Sequence, residues 1–178
     1  VTESSARPES LLVSKPAYDR KKYFGDGWRI VEGNCDTREI VLSYQAVGEP
    51  VDRDGDGCKD DADILDPYTN TVINPHLSQI DHVLSLKRMW DGGAWKWSQQ
   101  QRLDAAQDRN NLLAVSGAGP YGNEAKGDLG PDKWRPHAQS GWCRYATVYR
   151  FTATKYMIYL TPSEDVALSD MSATCPPR

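Results

Sequence analysis

The run Ser78-Gln79-Ile80-Asp81-His82-Val83-Leu84 sets Ile80, Val83 and Leu84 on either side of an acid and an imidazole. That pattern predicts a strand over Ile80–Leu84, carrying an acid and an imidazole within it. Neighbours on a strand point to opposite faces, so Asp81 and His82 serve one site only if the strand ends in a bend. A carboxylate can hold a hard divalent cation and a neutral imidazole can take a proton from water, two of the three requirements for hydrolysing a phosphodiester, the third being stabilisation of the leaving oxygen. An Asp-His dipeptide alone is far more often a surface or capping pair. The residues downstream of it change that balance.

There, Asn110-Asn111-Leu112-Leu113-Ala114-Val115 predicts a compact apolar strand. Ser116-Gly117-Ala118-Gly119-Pro120-Tyr121-Gly122 can only be a turn or loop, and a helix is expected to open near Asn123. The amide oxygen of Asn123 can join the Asp81 carboxylate on Mg2+ or Mn2+, with waters and a substrate phosphate completing the shell. Asn111 is placed to bond the backbone of the loop bearing His82, and Lys126 is the nearest candidate phosphate clamp. His82 is thus the expected general base, with Asn111 in support.

Elsewhere in the chain, Cys35–Leu42 predicts a helix capped by Asp36 or Thr37. Ile64–Ile73 reads as strand, turn and strand, and Lys87–Ala106 as two short helices interrupted near Gly92-Gly93. Tyr145–Tyr159 is amphipathic at helical spacing and is expected to pack behind the site. Thr161-Pro162-Ser163-Glu164 starts a terminal helix through Met171. With 178 residues, 14 Gly and 11 Pro, the chain predicts one loop-rich α+β domain over 18–178 after a flexible leader over 1–17.

Four cysteines without CxxC spacing exclude a zinc knuckle and fit disulfides formed in an oxidising compartment. Three pairings are open; the sequential one, Cys35–Cys58 and Cys143–Cys175, is the one expected. No apolar stretch is long enough to span a bilayer, so a secreted protein whose signal peptide is absent from this sequence is expected, a monomer without a membrane partner.

The net charge of −4 argues against a partner held by bulk electrostatics. Much of it, however, is concentrated between Asp52 and Asp66, and the remainder is mildly basic. Asp52, Asp54, Asp56, Asp60 and Asp63 follow the spacing of an EF-hand loop with Gly57 at its turn, a candidate structural Ca2+ site against the plainer reading of a solvated acidic turn. Basic and aromatic residues interleave at Arg88, Trp90, Lys96, Trp97 and Arg102, so Arg88, Lys96 and Arg102 are candidate substrate contacts. His76 and His137 are read as structural or exposed.

Beyond these residues, Tyr18-Asp19-Arg20, Phe24-Gly25, Cys35-Asp36-Thr37-Arg38, Asp66-Pro67-Tyr68, Ile80-Asp81-His82-Val83, Asn111-Leu112 and Lys126-Gly127-Asp128 resemble secreted bacterial HNH, or His-Me finger, endonucleases related to the C-terminal part of GmrSD-type restriction enzymes. The resemblance covers most of the chain from Tyr18. It implies a ββα-metal core, His82 as general base, Asp81 and Asn123 as metal ligands, and Asn111 as the central asparagine. The activity expected is cleavage of DNA, with RNA as a further substrate, leaving 5′-phosphate ends, and at low sequence specificity because nothing in the chain resembles a recognition helix or finger. The chain departs from the family in reading Gln107-Asp108-Arg109 before the central asparagine and Leu84-Ser85 after Asp-His-Val. The opposing expectation is a noncatalytic secreted module stabilised by Ca2+.

Overall fold

The computed structural model describes residues 14–177. Most of the leader expected over 1–17 lies outside the described residues, but Lys15 and Pro16 already touch the domain. Lys15 pairs with Asp91 at 2.7 Å, and the Pro16 carbonyl accepts from the buried Trp90 indole at 3.1 Å. A buried indole N–H needs such a partner, so the domain's contacts begin before Tyr18.

Helix α1 (Arg20–Phe24) starts at Asp19, whose carboxylate accepts from the Lys22 amide, and stops at Gly25 with φ 83°. A side chain at Gly25 would be strained there, and its Cβ would lie 2.9 Å from Leu103. The hairpin β1 (Ile30–Glu32) and β2 (Cys35–Asp36) leads into α2 (Thr37–Gln45). Asp36 and Glu39 form a reciprocal capping box at the start of that helix. A second hairpin, β3 (Ile64–Asp66) and β4 (Thr71–Ile73), turns through Asn70 at φ 55°.

The third ribbon positions the site. Strand β5 (Ser78–His82) pairs antiparallel with β6 (Leu112–Ser116), setting Asp81 opposite Leu113 and His82 opposite Leu112. Between the two strands run α3 (Leu86–Asp91) and α4 (Gln99–Ala106), each capped by a serine hydroxyl, Ser85 and Ser98. After β6 come α5 (Asn123–Lys126), α6 (Trp142–Lys155) and α7 (Pro162–Ser172).

From Leu112 to Val115 strand β6 is apolar because it is buried on both faces. Leu113 and Val115 join the larger core around Trp90, Tyr145 and Tyr149, whereas Leu112 and Ala114 join a smaller cluster with Val41, Leu42, Ile64 and Ile80. Its free edge would carry unpaired amides in a two-stranded ribbon. Side chains fill them: Gln45 bonds both the Ala114 amide and carbonyl, and Asp66 accepts from the Ser116 amide.

The fold is a small compact α+β domain with three two-stranded sheets among the described residues and two disulfides, Cys35–Cys58 and Cys143–Cys175. The first ties β2 to the acidic loop, and the second ties α6 to the segment after α7. No described helix is long and apolar enough to cross a membrane.

Candidate active site

The strand that carries Asp81 and His82 is shorter than expected. It ends at His82, and a bend comes at Val83 and Leu84. That bend lets Asp81 and His82 line one cleft although they leave the strand on opposite faces. Asn111 makes the bend. Its Oδ1 accepts from the Leu84 amide and its Nδ2 donates to the Leu84 carbonyl, both at 2.9 Å, and its own carbonyl accepts from Val83. Asn111 is fully buried, so a side chain that bonded less would strand two backbone groups.

His82 Nε2 lies 2.9 Å from the Ala106 carbonyl. A carbonyl only accepts, so Nε2 carries the proton and Nδ1 keeps the lone pair, with no protein partner among the described residues. Burial pushes the ring's pKa down to about 4, aided by the nearby Arg20 and Lys126 charges and opposed by the Ala106 bond and Asp81. The imidazole is therefore neutral near pH 7 and able to take a proton. Trp28 stacks on it at 5.8 Å between ring centres.

Asp81 accepts from the Lys126 ammonium on one oxygen, at 2.9 Å, and from the Tyr68 hydroxyl on the other. Burial and the Asp81 charge hold the Tyr68 phenol far above its ordinary pKa, so it remains a donor. Lys126 also donates to the His82 carbonyl at 3.0 Å, fixing the strand end from behind. Each Asp81 oxygen thus accepts one bond and keeps a second lone pair.

Asn123 opens α5, half-buried, on the wall facing Asp81. Its Nδ2 donates to Gln79 Oε1 at 3.0 Å, and Gln79 Nε2 donates to Glu124 at 2.9 Å, which turns the Asn123 oxygen free. The helix can start there only because Gly122 has no side chain: a Cβ would sit 2.5 Å from the Gly117 carbonyl oxygen. The cleft has two lobes, of about 310 and 290 Å³, with Arg20, His82 and Leu86 common to both. The first holds Asp81, Asn123, Glu124 and Asp128, and the second Lys21, Trp28 and Gln107.

Several expected contacts lie elsewhere. Lys126 is fully buried in its pair with Asp81 and does not clamp phosphate. Arg88 is bonded to Glu164 and the Tyr159 carbonyl, away from the cleft. Arg102 is buried and donates to the carbonyls of Tyr23, Ala94 and Trp97, joining α1 to the turn before α4. Lys96 is exposed over the Trp95 ring and lines neither lobe. Lys96 and Arg102 follow the basic-aromatic pattern because they cover Trp95 and Trp90, the commoner use of that pattern.

In the acidic loop, Asp52, Asp54 and Asp56 bring carboxylate oxygens within 4.8 Å of one another, whereas Asp60 and Asp63 do not join them. Asp52 is already engaged by the amides of Gly55 and Gly57. The twelve-residue EF-hand pattern is therefore not completed in space. His76 and His137 are exposed.

Three site residues escaped the sequence reading: Arg20, Tyr68 and Gln79. Gln79 carried a usable signal, since it stands two residues from Asp81 and so shares its face. Arg20 had only its place in Tyr18-Asp19-Arg20. It makes no salt bridge among the described residues and lines both lobes.

No protein-family model and no solved structure matches the chain. An uncharacterized secreted protein of the fungus Arthroderma benhamiae is 35% identical over 161 residues, spanning 89% of this chain and 76% of the relative. The resemblance to a bacterial nuclease family related to GmrSD-type enzymes is corrected by these findings: the relative is a secreted fungal protein, and no model of such a nuclease family matches. The chain belongs to the family of this fungal secreted protein and is itself a secreted protein, as its two disulfides suit.

Proposed function

We propose that the protein is a secreted, metal-dependent phosphodiesterase acting on nucleic acid, DNA with RNA as a further substrate. The observation that carries this reading is His82: neutral, pinned through Nε2 to Ala106 with Nδ1 unbonded, and lining a cleft together with Asp81, Asn123 and Arg20. The chain order β5, β6, α5 around that cleft supports a ββα-metal core of the His-Me finger kind as part of the proposal.

The donor set fits a hard divalent ion. Asp81 keeps a lone pair on each oxygen, Asn123 turns its amide oxygen free, and ligating carboxylates ordinarily keep supporting hydrogen bonds such as those from Tyr68 and Lys126. Two protein oxygens leave room for waters and a substrate phosphate, the habit of Mg2+. Asp81 and Asn123 would hold the ion, which would neutralise charge on the phosphoryl group and the departing oxygen.

The chain's own residues do the rest. Arg20 binds a phosphate oxygen from the junction of the two lobes. His82 Nδ1 takes a proton from the attacking water as its oxygen bonds phosphorus. The bond from phosphorus to the 3′ oxygen breaks, the departing oxygen takes a proton from solvent water, and a 3′ hydroxyl and a 5′ phosphate are left. Asn111 and Lys126 keep the His82 backbone still while this happens.

Plasmid DNA and single-stranded RNA incubated with the protein and Mg2+ or Mn2+ test the reading. Cleavage is expected, is abolished by EDTA, and falls about 10²–10⁴-fold in His82→Ala. Inactivity of the unmodified protein on both substrates with Mg2+, Mn2+ and Ca2+ would sink the proposal. The noncatalytic module draws on the Asp52, Asp54 and Asp56 cluster. A melting temperature raised by Ca2+, without cleavage, would favour it.

A further inference from the structure

We infer that the second lobe of the cleft is a nucleobase subsite built on Trp28, and that the protein takes single strands in preference to duplexes. The inference rests on the phosphodiesterase reading and deepens it. The two lobes meet at His82 and Arg20, so a strand whose scissile phosphate lies there must send one neighbouring nucleotide into each lobe. Their chemistry differs. The first is lined by Asp81, Asn123, Glu124 and Asp128, which suits a cation and the sugar-phosphate around it.

The second lobe lacks a metal-ligating set. It offers the half-buried Trp28 beside Arg20, with Gln107 as an amide; Lys21 also lines it but is paired with Asp26 at 3.0 Å, and Phe24 is buried. Aromatic surface flanked by cations is how proteins hold an unpaired base and its phosphate without reading sequence. Trp28 is half-buried, packed against the smaller core cluster and stacked on His82, so its ring is held still where a base would arrive. A lobe of about 290 Å³ has room for one nucleoside but none for a base pair with its second backbone. A base stacked inside a duplex cannot enter without first being unpaired, at a cost a single strand does not bear.

The subsite is tested by fluorescence anisotropy with a labelled twelve-nucleotide DNA, single-stranded or annealed to its complement, and protein carrying His82→Asn to stop cleavage. The single strand is expected to bind more tightly than the duplex. Adding Trp28→Ala should weaken single-strand binding roughly 5- to 150-fold and leave duplex binding nearly unchanged. Trp28→Phe keeps an aromatic face and the core packing, and is expected to retain most of the affinity if Trp28→Ala fails to fold.

Equal affinity for both forms, or a Trp28→Phe protein that binds both as before while a folded Trp28→Ala protein does too, overturns the subsite. Failure of the phosphodiesterase reading looks different: no cleavage by the unmodified protein, with Trp28-dependent binding of the single strand intact. That outcome leaves the subsite standing. Cleavage with no dependence of single-strand binding on Trp28 overturns the subsite alone.

Discussion

Two ion pairs with buried carboxylates, Asp81–Lys126 at the cleft and Arg88–Glu164 outside it, share a chemistry and differ in completeness. Glu164 accepts from Arg88 and Tyr149 on one oxygen and from Arg88 and the Thr161 amide on the other. Burial alone would raise its pKa, but these donors outweigh burial and hold it below the usual carboxylate range. Every lone pair is occupied, and the pair lines neither lobe of the cleft. Asp81 has half that number of partners and faces the cleft. A saturated carboxylate can only hold the fold together, whereas a carboxylate fixed by two donors but not filled by them can still accept a cation. The scaffold and the site are built from the same parts, and the number of donors separates them.

Removing the cation from each pair is the strongest test of that difference. Lys126→Met takes the charged partner from the largely buried Asp81 and leaves it only the Tyr68 hydroxyl, and is expected to cost about 3–5 kcal/mol in urea denaturation. Hydrolysis should fall with it even at temperatures where the variant is folded, because the His82 carbonyl loses its anchor as well. Arg88→Met strands Glu164, but the Arg88 side chain is 19% exposed, so about 2–4 kcal/mol is expected. Its turnover per folded molecule should match that of the unmodified protein. A loss of turnover as large as that of Lys126→Met would remove the distinction between scaffold and site.

The same distinction marks what the sequence discloses. Helix starts at Asp36 and Thr161 are local events, one side chain bonding an amide three residues on, and short-range pattern finds them. The apolar run Leu112–Val115 likewise announces a buried strand. The partner of a charge is a long-range fact. Lys126 and Asp81 are 45 positions apart, and Arg88 and Glu164 are 76 apart. Nothing local tells a lysine that clamps phosphate from one buried beneath a carboxylate. Arg88 and Arg102 look like substrate contacts for that reason, and Arg20, in a five-residue helix before the first hairpin, looks like none.

Acid titration probes the contrast from the side of the base. His82 has a pKa near 4 in the folded protein against 6.5 for the free side chain. Between those values the unfolded chain binds a proton that the folded protein refuses, so stability falls as pH drops from 6.5 through 4. The difference corresponds to up to about 3 kcal/mol. Urea denaturation of metal-free protein at pH 7, 5.5 and 4.5 should show the loss, and His82→Asn should lack that part of it. An identical decline in the variant would mean that His82 titrates normally and that carboxylates such as Glu164 account for the whole acid limb.

The smallest expected effect isolates the unfilled carboxylate itself. Tyr68→Phe removes one donor from Asp81 and leaves Lys126 in place. The ring remains packed against Trp134 and Tyr145, so the stability cost should be about 1–2 kcal/mol, that of one hydrogen bond to a charged group. If Asp81 serves a divalent ion, the freed oxygen loses its orientation, and the Mg2+ concentration giving half-maximal cleavage should rise about 10- to 100-fold. If Asp81 were merely a second structural pair, like Glu164, the same substitution would move the melting temperature and leave the Mg2+ dependence where it was. The two arms read different quantities from one protein, so instability cannot be mistaken for loss of the ion.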